Sequence, residues 1–237
     1  MIEHTTRAFD VELQELGAKI GEMGRLDKRQ ITDAIGALID RDIDLAERII
    51  STDDEVDELQ RQIEEKIIIT IARRQPMAVD LRELVGTLRI AIDLERIGDL
   101  AENVAKRVAL INEIYPINDV MLQLHRMVQL VIDQLTRVLE SYQQRNAQEA
   151  MAVWQKDKEI DALNNSLLRE LLTYMMENPR NISLCTHLLF CAKNIERMGD
   201  HITNIAESVY YIVQGHPLPK GRPKADAKNQ RTLPLSA

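Results

Sequence analysis

Two short stretches of this chain place a pair of carboxylates four residues apart, and their sequences are nearly the same. Residues 95–99 read Glu-Arg-Ile-Gly-Asp, and residues 196–200 read Glu-Arg-Met-Gly-Asp. Side chains four residues apart lie on one face of a helix, so Glu95 lies beside Asp99 and Glu196 lies beside Asp200. Carboxylates paired in this way can supply oxygen ligands to a metal ion. The second occurrence also indicates that the chain contains a duplicated unit.

A second set of acidic pairs has the same spacing in each half of the chain. Asp53 and Asp57 are repeated as Asp157 and Asp161, 104 residues later. Four carboxylates that converge from two helices repel one another strongly unless cations lie between them. We therefore predict two carboxylate-bridged metal sites, with the side chains of Asn103 and Asn204 as auxiliary ligands one turn further on. The predicted ligands are Asp53, Asp57, Glu95 and Asp99 in the first half, and Asp157, Asp161, Glu196 and Asp200 in the second.

Two other interpretations of these acidic pairs remain open. In the first, the chain is a helical scaffold whose carboxylates form salt bridges with nearby basic residues such as Arg96 and Lys193. In the second, the chain is a metal-dependent enzyme that performs hydrolysis or redox chemistry. Di-iron bundle enzymes carry Glu-x-x-His on two helices, and no Glu in this sequence has a His three residues later. Because no nucleophile–base pair is recognisable either, we expect no enzymatic activity.

Long helices must position the acidic pairs, because apolar residues recur every three or four positions through most of the chain. Few glycines and prolines and only 3% aromatic residues favour an all-helical fold with an aliphatic core. Helix N-caps are predicted at Asp44, Asp80 and Asn146, each of which precedes a Glu by three positions. We predict an all-α protein of six long helices, arranged as two tandem, duplicated three-helix bundles. The bundles span residues 5–114 and 115–214, and residues 215–237 form a basic tail that is predicted to be disordered.

The charge of the chain argues against nucleic acid as a partner. The formal net charge is −8, and because the tail contributes +4, the remainder carries −12. Binding to nucleic acid needs a basic surface instead. No apolar run approaches the roughly 20 residues that would insert directly into a membrane. The N-terminus lacks the features of a signal peptide, and Cys185 and Cys191 are not spaced as a redox motif, so we expect a cytoplasmic protein.

The duplicated motif within this helical layout resembles the PhoU family, the accessory proteins of phosphate-specific transport. The resemblance covers residues 5–214 and includes the stretches 72–76 and 172–177. It implies a cytoplasmic, non-enzymatic negative regulator of the phosphate-starvation response that also restrains phosphate uptake. Such a protein connects the ATPase of the Pst phosphate importer to a PhoR-type sensor histidine kinase.

The resemblance also has implications for assembly and for metal binding. Members of the family are commonly homodimers, and they can bind iron, zinc or another divalent metal in clusters through acidic-x-x-x-Asp motifs. In this sequence those motifs fall on the eight carboxylates named above, all of which are present.

Overall fold

Six long α-helices build the described structure. The computed structural model describes the backbone of residues 2–111 and 118–218, and within these ranges it describes every side chain except those of residues 2–8, 53 and 118. A single 3₁₀ turn, Pro179–Asn181, joins the last two helices. The all-α class and the six predicted helices are confirmed over this part of the chain. The helices are α1 (Ile2–Asp40), α2 (Ile43–Arg74), α3 (Ala78–Val108), α4 (Asn118–Gln143), α5 (Ala147–Glu177) and α6 (Ile182–Gln214).

Each set of three consecutive helices forms a bundle. α1, α2 and α3 pack against one another, and so do α4, α5 and α6. The two bundles meet where α3 packs on α6 and where α1 packs on α4. The tandem arrangement is therefore confirmed. The predicted boundary between residues 114 and 115 lies outside the described residues, as do residues 219–237 of the predicted tail.

The start of α2 differs from the sequence prediction by two residues. Asp42 is the N-cap, and its side chain accepts a hydrogen bond from the backbone N–H of Leu45 at 2.8 Å. The predicted cap, Asp44, lies in the first turn instead. Acidic residues are favoured both as N-caps and in the first turn, where they stabilise the helix dipole. The sequence pattern therefore could not distinguish the two positions.

The other two predicted caps have different outcomes. α3 begins at Ala78 after Met77, which has no side-chain hydrogen bond to the helix, so the prediction of a cap at Asp80 is wrong. Asp80 lies in the first turn, like Asp44 of α2. Asn146 is the N-cap of α5 as predicted, because its side chain accepts hydrogen bonds from two backbone N–H groups of the first turn.

An aliphatic stripe fixes the rotation of α3 within the first bundle. Leu84, Ile90, Leu94 and Ile97 are all completely buried. Burying an aliphatic side chain of this size contributes about 1.5–3 kcal/mol to stability. Because the stripe must face the core, the neighbouring edge of the helix, which carries the acidic motif, is held at the bundle surface.

α3 and α6 run antiparallel along the seam between the bundles. Near the start of α3, Gly86 lies against Ile212 in the last turns of α6, and a Cβ atom at Gly86 would collide with that side chain. Near the end of α3, the Arg107 guanidinium lies over the ring of Phe190, with Cζ 4.5 Å from the ring centroid. These contacts fix the register with which residues of the two bundles face each other.

Two further features of the described residues bear on the sequence predictions. Cys185 and Cys191 are free thiols buried in α6. Burial raises the pKa of Cys191 to about 12, which keeps this thiol protonated and unreactive. Across residues 2–111 and 118–218, no helix combines the length and the apolar character needed to cross a membrane.

Candidate metal centre

The first acidic motif lies at the edge of the buried stripe of α3. Glu95 follows the buried Leu94, and the side chain of Glu95 is 20% exposed. Asp99, one turn further on, has a side chain that is 34% exposed. The two carboxylates are therefore partly removed from water on the same edge of the helix. At this position an ion can reach both carboxylates. The carboxylates have nevertheless lost part of their hydration, which is unfavourable for their charged forms.

α2 adds a third carboxylate to this pair. One oxygen each from Asp57, Glu95 and Asp99 lies within 4.8 Å of the others. No other set of three His, Cys, Asp or Glu side chains converges in this way among the side chains that the structure describes. The predicted meeting of the α2 and α3 acidic pairs therefore occurs for these three residues. We call them the first acidic cluster.

The first acidic cluster raises the pKa of two of its own members. Burial raises the pKa of Glu95 above its ordinary value, and the negative charge of Asp99 adds to this effect. Burial also raises the pKa of Asp57, with further contributions from the charges of Asp99, Asp54 and Glu102. Glu95 is half-buried and Asp57 is exposed, so each shift combines a partial loss of hydration with repulsion from neighbouring negative charges. A bound cation would remove that repulsion.

One arginine partly compensates the first acidic cluster. Arg96 Nε lies 3.3 Å from Glu95 Oε2, and Arg96 Nη1 lies 2.9 Å from Asp99 Oδ2. The Arg96 side chain is 55% exposed, and Arg61, whose charge lowers the pKa of Asp57, is itself paired with Glu58, so the three carboxylates keep net negative charge. Several carboxylate oxygens with excess negative charge match the ligand preference of hard divalent cations, and carboxylates also bind zinc and iron. The three residues thus have suitable chemistry for a metal ion.

The remaining predicted ligands of the first half are less well defined. Asp53 lies on α2, one turn before Asp57, but its side chain is outside the described residues. Asn103 is exposed on α3, one turn beyond Asp99. Glu102, which the sequence analysis did not select, adds to the negative field on Asp57. Its position three residues after Asp99 was the sequence signal that could have identified it.

The corresponding residues of the second bundle do not converge in the same way. No three of Asp157, Asp161, Glu196 and Asp200 form a group like the first acidic cluster, although all four side chains are described. Glu196 forms an ion pair with Lys193, whose Nζ lies 2.5 Å from Oε2. The other three carboxylates also have interaction partners.

Asp157 has a further constraint at the contact between α5 and α6. It is buried, with 7% of its surface exposed. A Cβ atom at Gly199 would lie 3.5 Å from Asp157 Oδ1 and 3.0 Å from Ile160 Cδ1. The glycine of the second motif therefore allows α5 to approach α6 closely.

Asn204, the predicted auxiliary ligand, lies at the seam between the bundles. Its amide Nδ2 donates a hydrogen bond to Asp93 Oδ1 of α3 at 3.2 Å. His201 Nδ1 lies 2.8 Å from the same carboxylate oxygen. Sequence reasoning missed Asp93 altogether, because its partners are more than a hundred residues away. The role of the Asn204 amide oxygen as a metal ligand stays a prediction.

Comparison with known proteins finds the same domain twice in the chain. The PhoU domain matches residues 20–108 and 124–209. A phosphate-specific transport system accessory protein PhoU homolog from Rhizobium meliloti is 51% identical over 223 residues, covering 94% of each chain. The protein of the same description from Caulobacter vibrioides is 45% identical over 230 residues, covering 97% of this chain and 100% of the relative.

Two solved structures of PhoU proteins share the fold of this chain. PhoU from Pseudomonas aeruginosa superposes with a TM-score of 0.83 at 37% identity, and the match covers 88% of this chain and 100% of that one. The phosphate transport system regulatory protein PhoU from Streptococcus pneumoniae superposes with a TM-score of 0.81 at 30% identity, covering 89% and 99%. The similarity therefore extends over both bundles.

Proposed function

The chain belongs to the PhoU family, and on this premise we propose that it is a negative regulator of the phosphate-starvation response and a modulator of phosphate uptake. The observation that carries this proposal is the match of both halves to the PhoU domain, together with relatives of nearly equal length that are named phosphate transport accessory proteins. The protein acts by binding other proteins in the cytoplasm, without catalysing a reaction.

The finer proposal is that the chain is an adaptor between two membrane-associated partners. One partner is the ATPase of a Pst-type phosphate importer, and the other is a PhoR-type sensor histidine kinase. The division of the chain into two bundles of three long helices supports this proposal, because each bundle has a surface of its own to offer to a partner. A homodimer would double these surfaces.

Reporter activity in cells tests the regulatory proposal. We expect alkaline phosphatase, expressed in phosphate-rich medium, to rise when the gene is deleted and to return to its low level when the gene is restored.

A direct binding measurement tests the adaptor. Purified chain should form a ternary complex with the importer ATPase and the cytoplasmic part of the kinase. Unchanged reporter activity would refute the regulatory proposal, and binding to only one partner would refute the adaptor.

We further propose that the first acidic cluster binds a metal ion such as iron or zinc. The convergence of three carboxylate oxygens within 4.8 Å favours metal binding, and so do the raised pKa values of Asp57 and Glu95. Protein purified without chelator should contain metal by elemental analysis, and metal-free protein should take it up again. Chains that stay free of metal after incubation with iron, zinc and manganese would rule the proposal out.

A further inference from the structure

Two arginines of α3 meet one tyrosine of α6 at the end of the seam where α6 finishes. The Cζ atoms of Arg82 and Arg89 each lie 5.9 Å from the centroid of the Tyr211 ring. The arginines are seven residues apart, which is about two helical turns, so they project from the same face of α3. From this geometry we propose that Arg82, Arg89 and Tyr211 form a binding site for a phosphate oxyanion, and we call it the arginine site.

Neither guanidinium group is paired with a carboxylate among the side chains that the structure describes. Among the described residues, no carboxylate with a described side chain lies within 4.0 Å of either group. The Nε atom of Arg82 is buried, and among these residues it has no hydrogen-bond acceptor. A buried donor that lacks an acceptor is destabilising. Arg82 as a whole is half-buried and Arg89 is exposed, so an anion can approach the outer N–H donors of both groups from solvent.

Carboxylates near the arginine site are already engaged by other groups. Glu83, next to Arg82 in the chain, forms an ion pair with Arg145. Asp93, one turn after Arg89, interacts with His201 and Asn204. The local acids therefore do not neutralise the two arginines.

Glu207, one turn before Tyr211 on α6, also interacts with a group outside the arginine site. Its carboxylate accepts a hydrogen bond from Trp154 Nε1 at 3.0 Å. What holds Arg82 and Arg89 is the face of a neutral ring, which attracts cations without cancelling their charge. The two arginines therefore keep their positive charges, in a chain whose residues before Gly215 carry a net charge of −12.

The C-terminus of α6 leaves room for one of the guanidinium groups. Gly215, the C-cap, has φ of +81°, and a Cβ atom there would lie only 2.6 Å from Arg82 Nη1. The negative end of the α6 dipole attracts Arg82, which explains where that side chain lies. This attraction provides no hydrogen-bond acceptor for Arg82 Nε. It also does not explain the position of Arg89, which is exposed.

Phosphate is the anion that the chemistry of this site favours. A guanidinium group presents parallel N–H donors that match two oxygens of a phosphate group. A tetrahedral phosphate has enough oxygens to contact two guanidinium groups at once, and its double negative charge matches their combined charge. Inorganic phosphate and a phosphate monoester share this chemistry. That such a ligand is the regulatory signal rests on the proposed function, whereas the binding itself does not.

Calorimetric titration of the purified full chain with inorganic phosphate tests the arginine site. Chelator must be present throughout, so that a metal ion at the first acidic cluster cannot bind the phosphate instead. We expect saturable binding at one phosphate per chain and at least a tenfold loss of affinity in Arg82→Gln/Arg89→Gln. A parallel titration with glycerol 2-phosphate distinguishes a monoester from free phosphate as the preferred ligand.

A matched control removes the same charge elsewhere. Arg25 and Arg29 are exposed on α1, one turn apart, so Arg25→Gln/Arg29→Gln should leave the affinity unchanged. Arg82→Lys/Arg89→Lys keeps both charges and should still weaken binding, since lysine lacks the paired donors. Circular dichroism melts establish that each variant is folded.

Three results would overturn the proposal. They are no saturable binding by the wild type, equal weakening by the two glutamine double variants, and binding that Glu95→Gln/Asp99→Asn abolishes. The reporter assay of the proposed function is independent of these titrations. A wild-type chain that binds no phosphate and still represses the reporter normally would refute the arginine site and leave the regulatory role intact.

Discussion

The two bundles carry the same acidic motif, but the structure gives it different surroundings. In the first bundle, Asp57 of α2 meets Glu95 and Asp99 of α3, and the exposed Arg96 pairs with the last two. In the second bundle, Glu196 is paired with Lys193, and Asp157 is buried against the backbone of α6 near Gly199. The same motif therefore provides an accessible anionic cluster in one bundle and a more fully partnered set of carboxylates in the other.

Residues beside the motif account for part of this difference. Lys193 precedes Glu196 by three positions, and the residue in the corresponding place of the first bundle is Ile92. His201 follows Asp200, whereas Leu100 follows Asp99. The duplication preserved the carboxylates and changed their neighbours. We conclude that a repeated motif predicts a repeated fold more reliably than it predicts two equivalent sites.

Removing the first acidic cluster should have the largest effect on metal binding. In Glu95→Gln/Asp99→Asn, two anionic ligands become neutral amides. We expect metal affinity to fall by roughly 100-fold or more, since the loss of a residue that merely supports a ligand costs about 10–100-fold. Equilibrium dialysis followed by elemental analysis measures the change. The matched variant of the second bundle, Glu196→Gln/Asp200→Asn, should retain most of the metal. Equal losses of metal in the two variants would show that the two bundles do not differ in metal binding.

A smaller effect is expected on the stability of metal-free protein. The pKa of Glu95 is raised in the folded state, so the folded chain binds this proton more tightly than the unfolded chain does. Its favourable contribution is fully present below the ordinary pKa of 4.5 and is lost as the pH rises through the raised value. At pH 7, Glu95→Gln should therefore stabilise the metal-free protein, by about 0.5–1 kcal/mol for a partly exposed group.

Urea unfolding at pH 4 and pH 7, with chelator present, measures this effect. The gain from Glu95→Gln should be larger at pH 7 than at pH 4. In the second bundle, Glu196→Gln removes an ion pair with Lys193 and should not stabilise the protein. A Glu95→Gln variant that is less stable than wild type at pH 7 would show that the cluster is not under electrostatic strain.

Exchanging Ile92 and Lys193, the residues three positions before Glu95 and Glu196, should have the smallest effect on metal affinity. Ile92→Lys places an ammonium group three residues before Glu95, as Lys193 precedes Glu196. Because an exposed ion pair contributes about 0.2–1 kcal/mol, we expect metal affinity at the first acidic cluster to fall by up to about fivefold. Lys193→Ile should have the opposite effect on any metal bound in the second bundle. Competition titration with a chromophoric chelator resolves changes of this size, and a rise in affinity with Ile92→Lys would contradict the electrostatic explanation.

Much of the fold could be predicted because apolar periodicity acts within single helices. The six helices, the Asn146 cap and the pairing of Glu95 with Asp99 all depend on residues at most four positions apart. Contacts across the seam could not be predicted in this way. The approach of His201 to Asp93, and of Arg82 to Tyr211, depends on the rotation and register of α3 against α6. The same limit explains why the sequence indicated two equivalent metal sites.

Anomalous diffraction from crystals grown with iron or zinc shows directly whether the two bundles differ in metal binding. We expect the strongest anomalous peak among Asp57, Glu95 and Asp99, at a metal–oxygen distance of about 2.0–2.2 Å. A weaker peak, or none, is expected among Asp157, Asp161, Glu196 and Asp200. An empty first acidic cluster, or a metal of higher occupancy in the second bundle, would show that the first bundle is not the preferred metal site.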